Sequence, residues 1–427
     1  MFAKRTRWNT TPNRLAAALE MRKQQGSPVL DLTESNPTTA GFQYDYAAIQ
    51  QALADPAAAS YAPRALGLAA ARQAVSDYYR EHGVAVPWRR VLLTTGSSEG
   101  YSHLFRLLAD PGDEILSPIP SYPLLDLLAD INDVRLVRYP LLYDHGWQLD
   151  LDALAAKITS RSRAIVVVTP NNPTGSVLSA AQLGGLVKLA CAHGLAIIAD
   201  EVFADYIWRR EQPAGAEPAA ANPLGEERCE PAPSLAAVDD CLTFTLNGLS
   251  KIAALPQMKL GWIVANGPEE LVSAALERAE VIADTCLSVG TPVQHAASQL
   301  LKLARFSHRL TAEARSEKSA LAKPMQEQIL ERIRRNLRFL DSCLAKETCP
   351  CSRLRAEAGW YAVLRIPNIG GDEDWAVELL EQDGVYVHPG HFFDFTQGGY
   401  LVISLIVRPE AFQKGIRKIL ARAEKQA

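Results

Sequence analysis

Three short apolar runs stand out along the chain, Val91 to Thr95, Ala164 to Thr169 and Leu195 to Ala199, each rich in aliphatic residues and ending in polar ones. This pattern predicts buried parallel strands. Helical spacing lies between them, over Gly100 to Ala109, Tyr122 to Asp130, Leu151 to Lys157 and Ala180 to His193. A strand over Cys241 to Leu246 precedes Lys251, and another over Leu260 to Ala265 follows it. Strands alternating with helices imply βαβ units and a mostly parallel sheet flanked by helices.

From about Gln294 the texture changes to long helical stretches running to Ala345. Alternating segments follow at Trp360 to Ile366 and Leu401 to Ile406, with a final helix from Pro409. The N-terminal fifty residues carry one helix, Pro12 to Gln24, and a polar turn at Thr33 to Pro37. The expected fold class is therefore α/β, with a large domain over 51–300 and a smaller α+β domain built from 1–50 and 301–427. Residues 211–234, rich in Ala, Pro and Glu without periodicity, read as an exposed insertion.

The length of 427 residues exceeds the ~250–300 at which single cores stop growing, which agrees with two domains. A formal charge of −4 gives no electrostatic reason to expect nucleic acid or a membrane as partner. Seven cysteines at scattered positions do not form a disulfide framework and read as free thiols. The basic start, Met1 to Trp8, lacks a following apolar stretch, and no run of ~18 apolar residues occurs, so the expected location is the cytoplasm.

In open α/β sheets, ligands sit beyond the carboxyl ends of the strands. After the first strand comes Thr94-Thr95-Gly96-Ser97-Ser98, small residues opening a helix and suited to cradle a phosphate. After the second comes the amide-rich turn Thr169-Pro170-Asn171-Asn172-Pro173-Thr174-Gly175. The third ends at Asp200, whose buried carboxylate calls for a positive partner. Past the fourth stands Ser250-Lys251, with a second cation, Lys259, eight residues on. A lysine amine, a buried carboxylate, amide donors and a phosphate cradle match the needs of pyridoxal 5'-phosphate (PLP).

Over Asp31 to Ile416 the chain resembles fold-type I PLP enzymes of the class I/II aminotransferase family, whose fold is that of aspartate aminotransferase. The matches are Asn172-Pro173-Thr174-Gly175, Asp200-Glu201-Val202, and Ser250-Lys251 with Pro256, Lys259, Gly261 and Trp262. The resemblance implies that Lys251 holds PLP as a Schiff base and then moves the proton between Cα and the cofactor. It gives Asp200 the pyridinium nitrogen, Asn172 the ring hydroxyl oxygen and Tyr122 the ring face. Gly96, Ser97 and Ser98 fall in the phosphate cradle, with Ser250 and Lys259 as further phosphate ligands. Tyr61 resembles the tyrosine that reaches a neighbouring subunit's phosphate, which implies a homodimer with composite sites. The implied reaction is amino transfer from an amino acid or amine to a 2-oxo acid.

Three positions depart from the family pattern. Phe203 stands where a tyrosine usually donates to the ring oxygen, which predicts a lysine linkage that keeps its proton to higher pH. Tyr206 is the available substitute. Lys259 replaces the usual arginine and loses its bidentate fork. Val402 occupies the place of the arginine that grips the substrate carboxylate, with Arg408, Arg365 and Arg64 as the replacements at hand. This favours, as an alternative, another PLP reaction at Cα or Cβ (lyase, decarboxylase or synthase). A remote alternative is a serine hydrolase: Gly96-Ser97-Ser98-Glu99-Gly100 fits G-x-S-x-G, and Asp200 and His388 or His391 follow in order. A metal site at His388 and His391 is not expected, because a Pro-Gly turn separates them and no third ligand pattern is present.

Overall fold

The computed structural model describes residues 1–208, 233–304, 323–346, 348–367 and 370–426. All but the last two residues of the expected insertion at 211–234 lie outside that set. The first strand, β1 (Leu30–Asp31), belongs to a small parallel ribbon. An eight-stranded sheet follows, made of β2 (Val91–Thr94), β3 (Glu114–Ile119), β4 (Arg135–Tyr143), β5 (Trp147–Leu149), β6 (Ser162–Val168), β7 (Ala196–Asp200), β8 (Thr243–Gly248) and β9 (Gly261–Asn266). Its spatial order is β2-β9-β8-β7-β6-β3-β4-β5. Later in the chain come β10 (Ser352–Arg353), β11 (Tyr361–Arg365), β12 (Val385–Tyr386), β13 (His388–Pro389) and β14 (Tyr400–Ser404). β12 pairs with β1, and the others form an antiparallel sheet ordered β10-β11-β14-β13.

The large sheet is mixed rather than uniformly parallel. Strands β4, β3, β6, β7 and β8 run parallel to one another, but the Val91 run, expected to pair in parallel, bonds only to β9 and does so antiparallel. The reason is the short return through Pro256–Met258, which lays β9 against β8 and wedges it between β8 and β2. Although β2 is an edge strand, both of its faces are covered. Val91 and Leu93 pack with Ala71 and Val75, and Leu92 packs with Tyr101 and Leu104.

Strands β3 and β4 escaped the sequence pattern because they carry polar residues. Glu114 bonds Arg135 and Thr159, and Ser117 bonds Arg138, so polar side chains are satisfied inside a sheet. By contrast, the helix Ala180–His193 has the bounds its spacing predicts. Ser179 and Gln182 form a capping box at its start, and Gly194, at φ 62°, ends it in the left-handed conformation. A second N-terminal helix, Tyr46–Leu53, was not anticipated; it buries Ile49 and Ala52 against the helices Ala69–Glu81 and Thr291–Ala304.

On the small sheet, Ala362, Leu364, Leu401 and Ile403 face a core shared with Ile329 and Ile333 of the helix Met325–Leu344 and with Phe412 and Ile416 of Pro409–Gln426. Leu15, Leu32 and Ala40 join this core, which attaches the N-terminal segment to the late part of the chain. The opposite face presents Val363 and Val402 to Phe393 and Phe395, beside Tyr143 and Trp147 from the β4–β5 hairpin.

Candidate active site

The carboxyl ends of β2, β7 and β8 and the start of β9 meet at one edge of the large sheet. Register makes this explicit: Thr94 and Gly248 both pair with Gly261, and Asp200 pairs with Leu246 on one side and Val168 on the other. Here the backbones approach so closely that a side chain would not fit. A Cβ on Gly261 would lie 2.8 Å from the Gly96 Cα, and one on Gly248 would lie 2.9 Å from the Gly261 Cα. The helix Ser97–Leu108 begins at this crowded point with Gly96 as its N-cap. Its first amides have no upstream carbonyl within the helix, so the start at Gly96, Ser97 and Ser98 is suited to an anion. The Thr95 N–H is already taken by Glu99 Oε2 at 2.7 Å, and Ser288 donates to the same oxygen at 2.8 Å.

Asp200 closes β7 at 9% exposure. Its Oδ1 accepts the Val202 N–H at 3.2 Å and its Oδ2 accepts the Tyr101 hydroxyl at 3.1 Å. Burial pushes the carboxyl up to about 6, opposed by those two donors and by the charge of Lys251. Lys251 lies in the short helix Leu249–Ile252, and burial lowers its amine to about 8 while Asp200 pulls the other way. The two groups act on one another through space, and among the described contacts no direct ion pair joins them. Lys251 Nζ sits over two aromatic rings, 4.7 Å from the centre of Trp360 and 5.6 Å from that of Phe203.

Asn172, 8% exposed, carries an Oδ1 that has no hydrogen-bond partner among the described residues. That oxygen is an acceptor, and leaving it buried is costly unless a donor reaches it. Tyr122 follows β3 and is half-exposed, and the neighbouring Ser121 N–H donates to Phe393 O at 3.0 Å. Ser250 is partly buried beside Lys251, whereas Lys259 is exposed, two residues before the crowded Gly261. Tyr61 is 78% exposed and lines a cleft with Arg64, Gly67, His103 and Ser288.

Tyr206 does not replace the hydroxyl missing at Phe203. It is fully buried and donates to the Lys251 backbone carbonyl at 2.6 Å, so it supports the lysine rather than facing a ligand. Val402 is 1% exposed within the apolar cluster of Leu354, Val363, Phe393 and Phe395. Of the three arginines considered in its place, Arg408 has its guanidinium against Gly41, Arg365 lies over the Tyr400 ring at 5.7 Å, and Arg64 is exposed on the Tyr61 loop. The hydrolase relay is not assembled. Asp200 takes its side-chain hydrogen bond from Tyr101, and His391 is paired with Asp372, its Nδ1 at 3.2 Å from Oδ1.

Sequence reasoning missed Tyr101, Trp360 and Tyr361. Tyr101 was recoverable, since it stands four residues after Ser97 and thus on the same helical face. The other two come from β11 and its approach. Tyr361 packs 6.4 Å from Phe203, ring centre to ring centre, and its hydroxyl lies near the Ser35 side chain. That contact brings the N-terminal polar turn to the site, a long-range pairing that local spacing does not encode.

Next to Asp200, Glu201 faces the other way. Its carboxylate accepts the Ser234 hydroxyl at 2.8 Å and the Leu235 N–H at 2.7 Å, yet burial pushes it up to about 7. A carboxyl raised above its unfolded value of 4.5 favours the fold below that value, and the advantage is lost as pH rises through about 7. Glu201→Gln is therefore expected to flatten the stability–pH curve between pH 5 and 8, by on the order of 1–3 kcal/mol. Denaturant midpoints across that range check it; an unchanged slope would show that Glu201 does not titrate there.

An amine and a carboxylate held near but apart and a row of helix amides fit the donor and charge pattern that PLP requires, so the residues present suit that cofactor. The class of protein follows: an α/β enzyme fold with a cofactor cradle at the carboxyl edge of its sheet. The aminotransferase class I and II family model matches residues 27–419, and the chain belongs to this family, whose members use PLP. It is 33% identical over 276 residues to glutamate-pyruvate aminotransferase AlaA of Escherichia coli K12, a stretch covering 64% of each chain. It is 28% identical over 415 residues to an aspartate/prephenate aminotransferase of Thermus thermophilus, covering 96% of this chain and 95% of that one. The fold is also that of an alanine aminotransferase from Pyrococcus furiosus, at a TM-score of 0.80 and 22% identity over all of both chains.

Proposed function

We propose that the protein is a PLP-dependent aminotransferase moving an amino group between an amino acid or amine and a 2-oxo acid. The observation that carries this reading is the pair Lys251 and Asp200, set at one sheet edge and coupled by charge without contact. When bound, PLP supplies an aldehyde to carry the amino group and a protonated ring that accepts electrons. Lys251 Nζ would hold the cofactor and would serve as the base that takes and returns the substrate Cα proton. Its lowered basicity keeps more of it as free amine at neutral pH than in an ordinary lysine. Asp200 keeps the ring nitrogen protonated. Asn172 would donate to the ring hydroxyl oxygen, and Tyr122 would cover the ring face. Gly96, Ser97, Ser98, Ser250 and Lys259 bind the phosphate, while Phe203 and Trp360 shield the amine from water.

Exposed Tyr61 supports a homodimer in which each subunit completes its partner's phosphate site. The cores built on the two sheets support a division into 51–300 and 1–50 with 301–427. We place the enzyme in the cytoplasm; among the described residues no helix is long and apolar enough to cross a membrane.

The names of the relatives make alanine or glutamate with a 2-oxo acid the first pairs to assay. Purified protein with alanine and 2-oxoglutarate is expected to produce pyruvate, read by a coupled dehydrogenase. The apolar wall at Val402 supports a second reading, lysis or decarboxylation at Cα or Cβ. Release of ammonia or carbon dioxide from the same amino acids, with no transfer to any 2-oxo acid, would select it.

A further inference from the structure

We propose that Tyr101 is a positioning residue for amino transfer, holding Asp200 ionised and fixing which of its lone pairs face the cofactor ring. The inference rests on the reading of Asp200 given above and adds to it a residue on a different element. Tyr101 lies one turn into the helix Ser97–Leu108, whose first turn is the proposed phosphate cradle. One rigid segment therefore sets both the cradle and the carboxylate, and their separation does not depend on loop conformation. The ring is locked in place: Tyr101 is 4% exposed, packs 5.9 Å from Phe105 between ring centres, and lies in a core with Leu104 and Ile198.

A carboxylate offers about four lone-pair sites on its two oxygens. Val202 N–H occupies one on Oδ1 and the Tyr101 hydroxyl one on Oδ2, which leaves one on each oxygen for a cation. Tyr101 is the side-chain donor to this carboxylate among the described residues, and a donor to the charged form favours ionisation against the opposing effect of burial. The phenol is a permanent donor, since burial and the adjacent Asp200 charge push its own ionisation far above the working range.

The test uses full-length Tyr101→Phe, which removes one oxygen and keeps the ring. Two readouts are taken: the dissociation constant for PLP titrated into apoenzyme, followed by absorbance, and the acid limb of the kcat/KM–pH profile. Removing a hydrogen bond to a charged group is expected to raise the dissociation constant roughly tenfold to a hundredfold and to move the acid limb up by about one pH unit. Phe105→Leu, which loosens the same packing without touching Asp200, should lower the melting temperature and leave the acid limb in place. Tyr101→His, which keeps a ring donor, should return both readouts toward wild type; near-UV circular dichroism establishes that each variant is folded. If folded Tyr101→Phe matches wild type in both readouts while wild type binds PLP and transaminates, the role of Tyr101 is overturned and the enzyme reading stands. If wild type binds no PLP, the enzyme reading itself falls.

Discussion

Replacing Lys251 by alanine is expected to lower kcat/KM for amino transfer by more than about 10⁴-fold, because under the proposed assignment one amine both anchors the cofactor and moves the Cα proton. General acid–base catalysis by a positioned side chain alone accounts for ~10²–10⁴-fold, and the anchoring role adds to that. The same substitution should stabilise the cofactor-free protein. The Lys251 amine is lowered to about 8 by burial from an ordinary 10.5, so below pH 8 the folded chain carries a disfavoured ammonium. In the window between those values the unfolded chain binds the proton and the folded chain does not, so stability rises with pH. Lys251→Met keeps the stem's volume without the charge, so it should be more stable than wild type at pH 7, by on the order of 1–3 kcal/mol, and flat across that window. A variant that is inactive and also less stable at pH 7 would contradict the buried-amine argument. Retained activity would contradict the assignment of Lys251.

Asp200→Asn should be the next most damaging change. It removes the negative charge proposed to face the ring nitrogen while leaving the shape of the site and the Val202 and Tyr101 donors in place. Breaking one half of a buried charge pair costs ~3–5 kcal/mol, which corresponds to roughly 10²–10⁴-fold in kcat/KM. The loss should exceed that of Tyr101→Phe, since the hydroxyl only supports the charge that Asp200 carries. Steady-state rates for Asp200→Asn, Tyr101→Phe and the double variant test this order. In the double variant the tyrosine change should add little, because the two residues act through one charge. Full additivity would show that Tyr101 works elsewhere.

The Phe203 departure now has a structural context. Tyr206, the obvious substitute, is tied to the Lys251 carbonyl, and Phe203 itself is 2% exposed with its ring toward the amine. The lysine–cofactor linkage is thus expected to keep its proton to higher pH than in tyrosine-bearing relatives, and Phe203→Tyr should bring that pH down. An absorbance titration of the holoprotein reads the transition directly. Loss of the proton already at neutral pH in the native protein would contradict it.

By itself the sequence determined the elements whose physics is local. Apolar runs ending in polar residues located β2, β6 and β7, and helical spacing bounded the helix Ala180–His193 to the residue. Only the tertiary structure decided the rest. β9 inserted between β2 and β8, polar β3 and β4 entered the sheet because distant partners satisfy their side chains, and Tyr101 reached Asp200 and Trp360 reached Lys251 from two separate parts of the chain. The physical reason is range. Periodicity and caps act within a few residues, whereas strand pairing and the burial of a charge depend on groups brought together across hundreds of positions by the packing of the whole core.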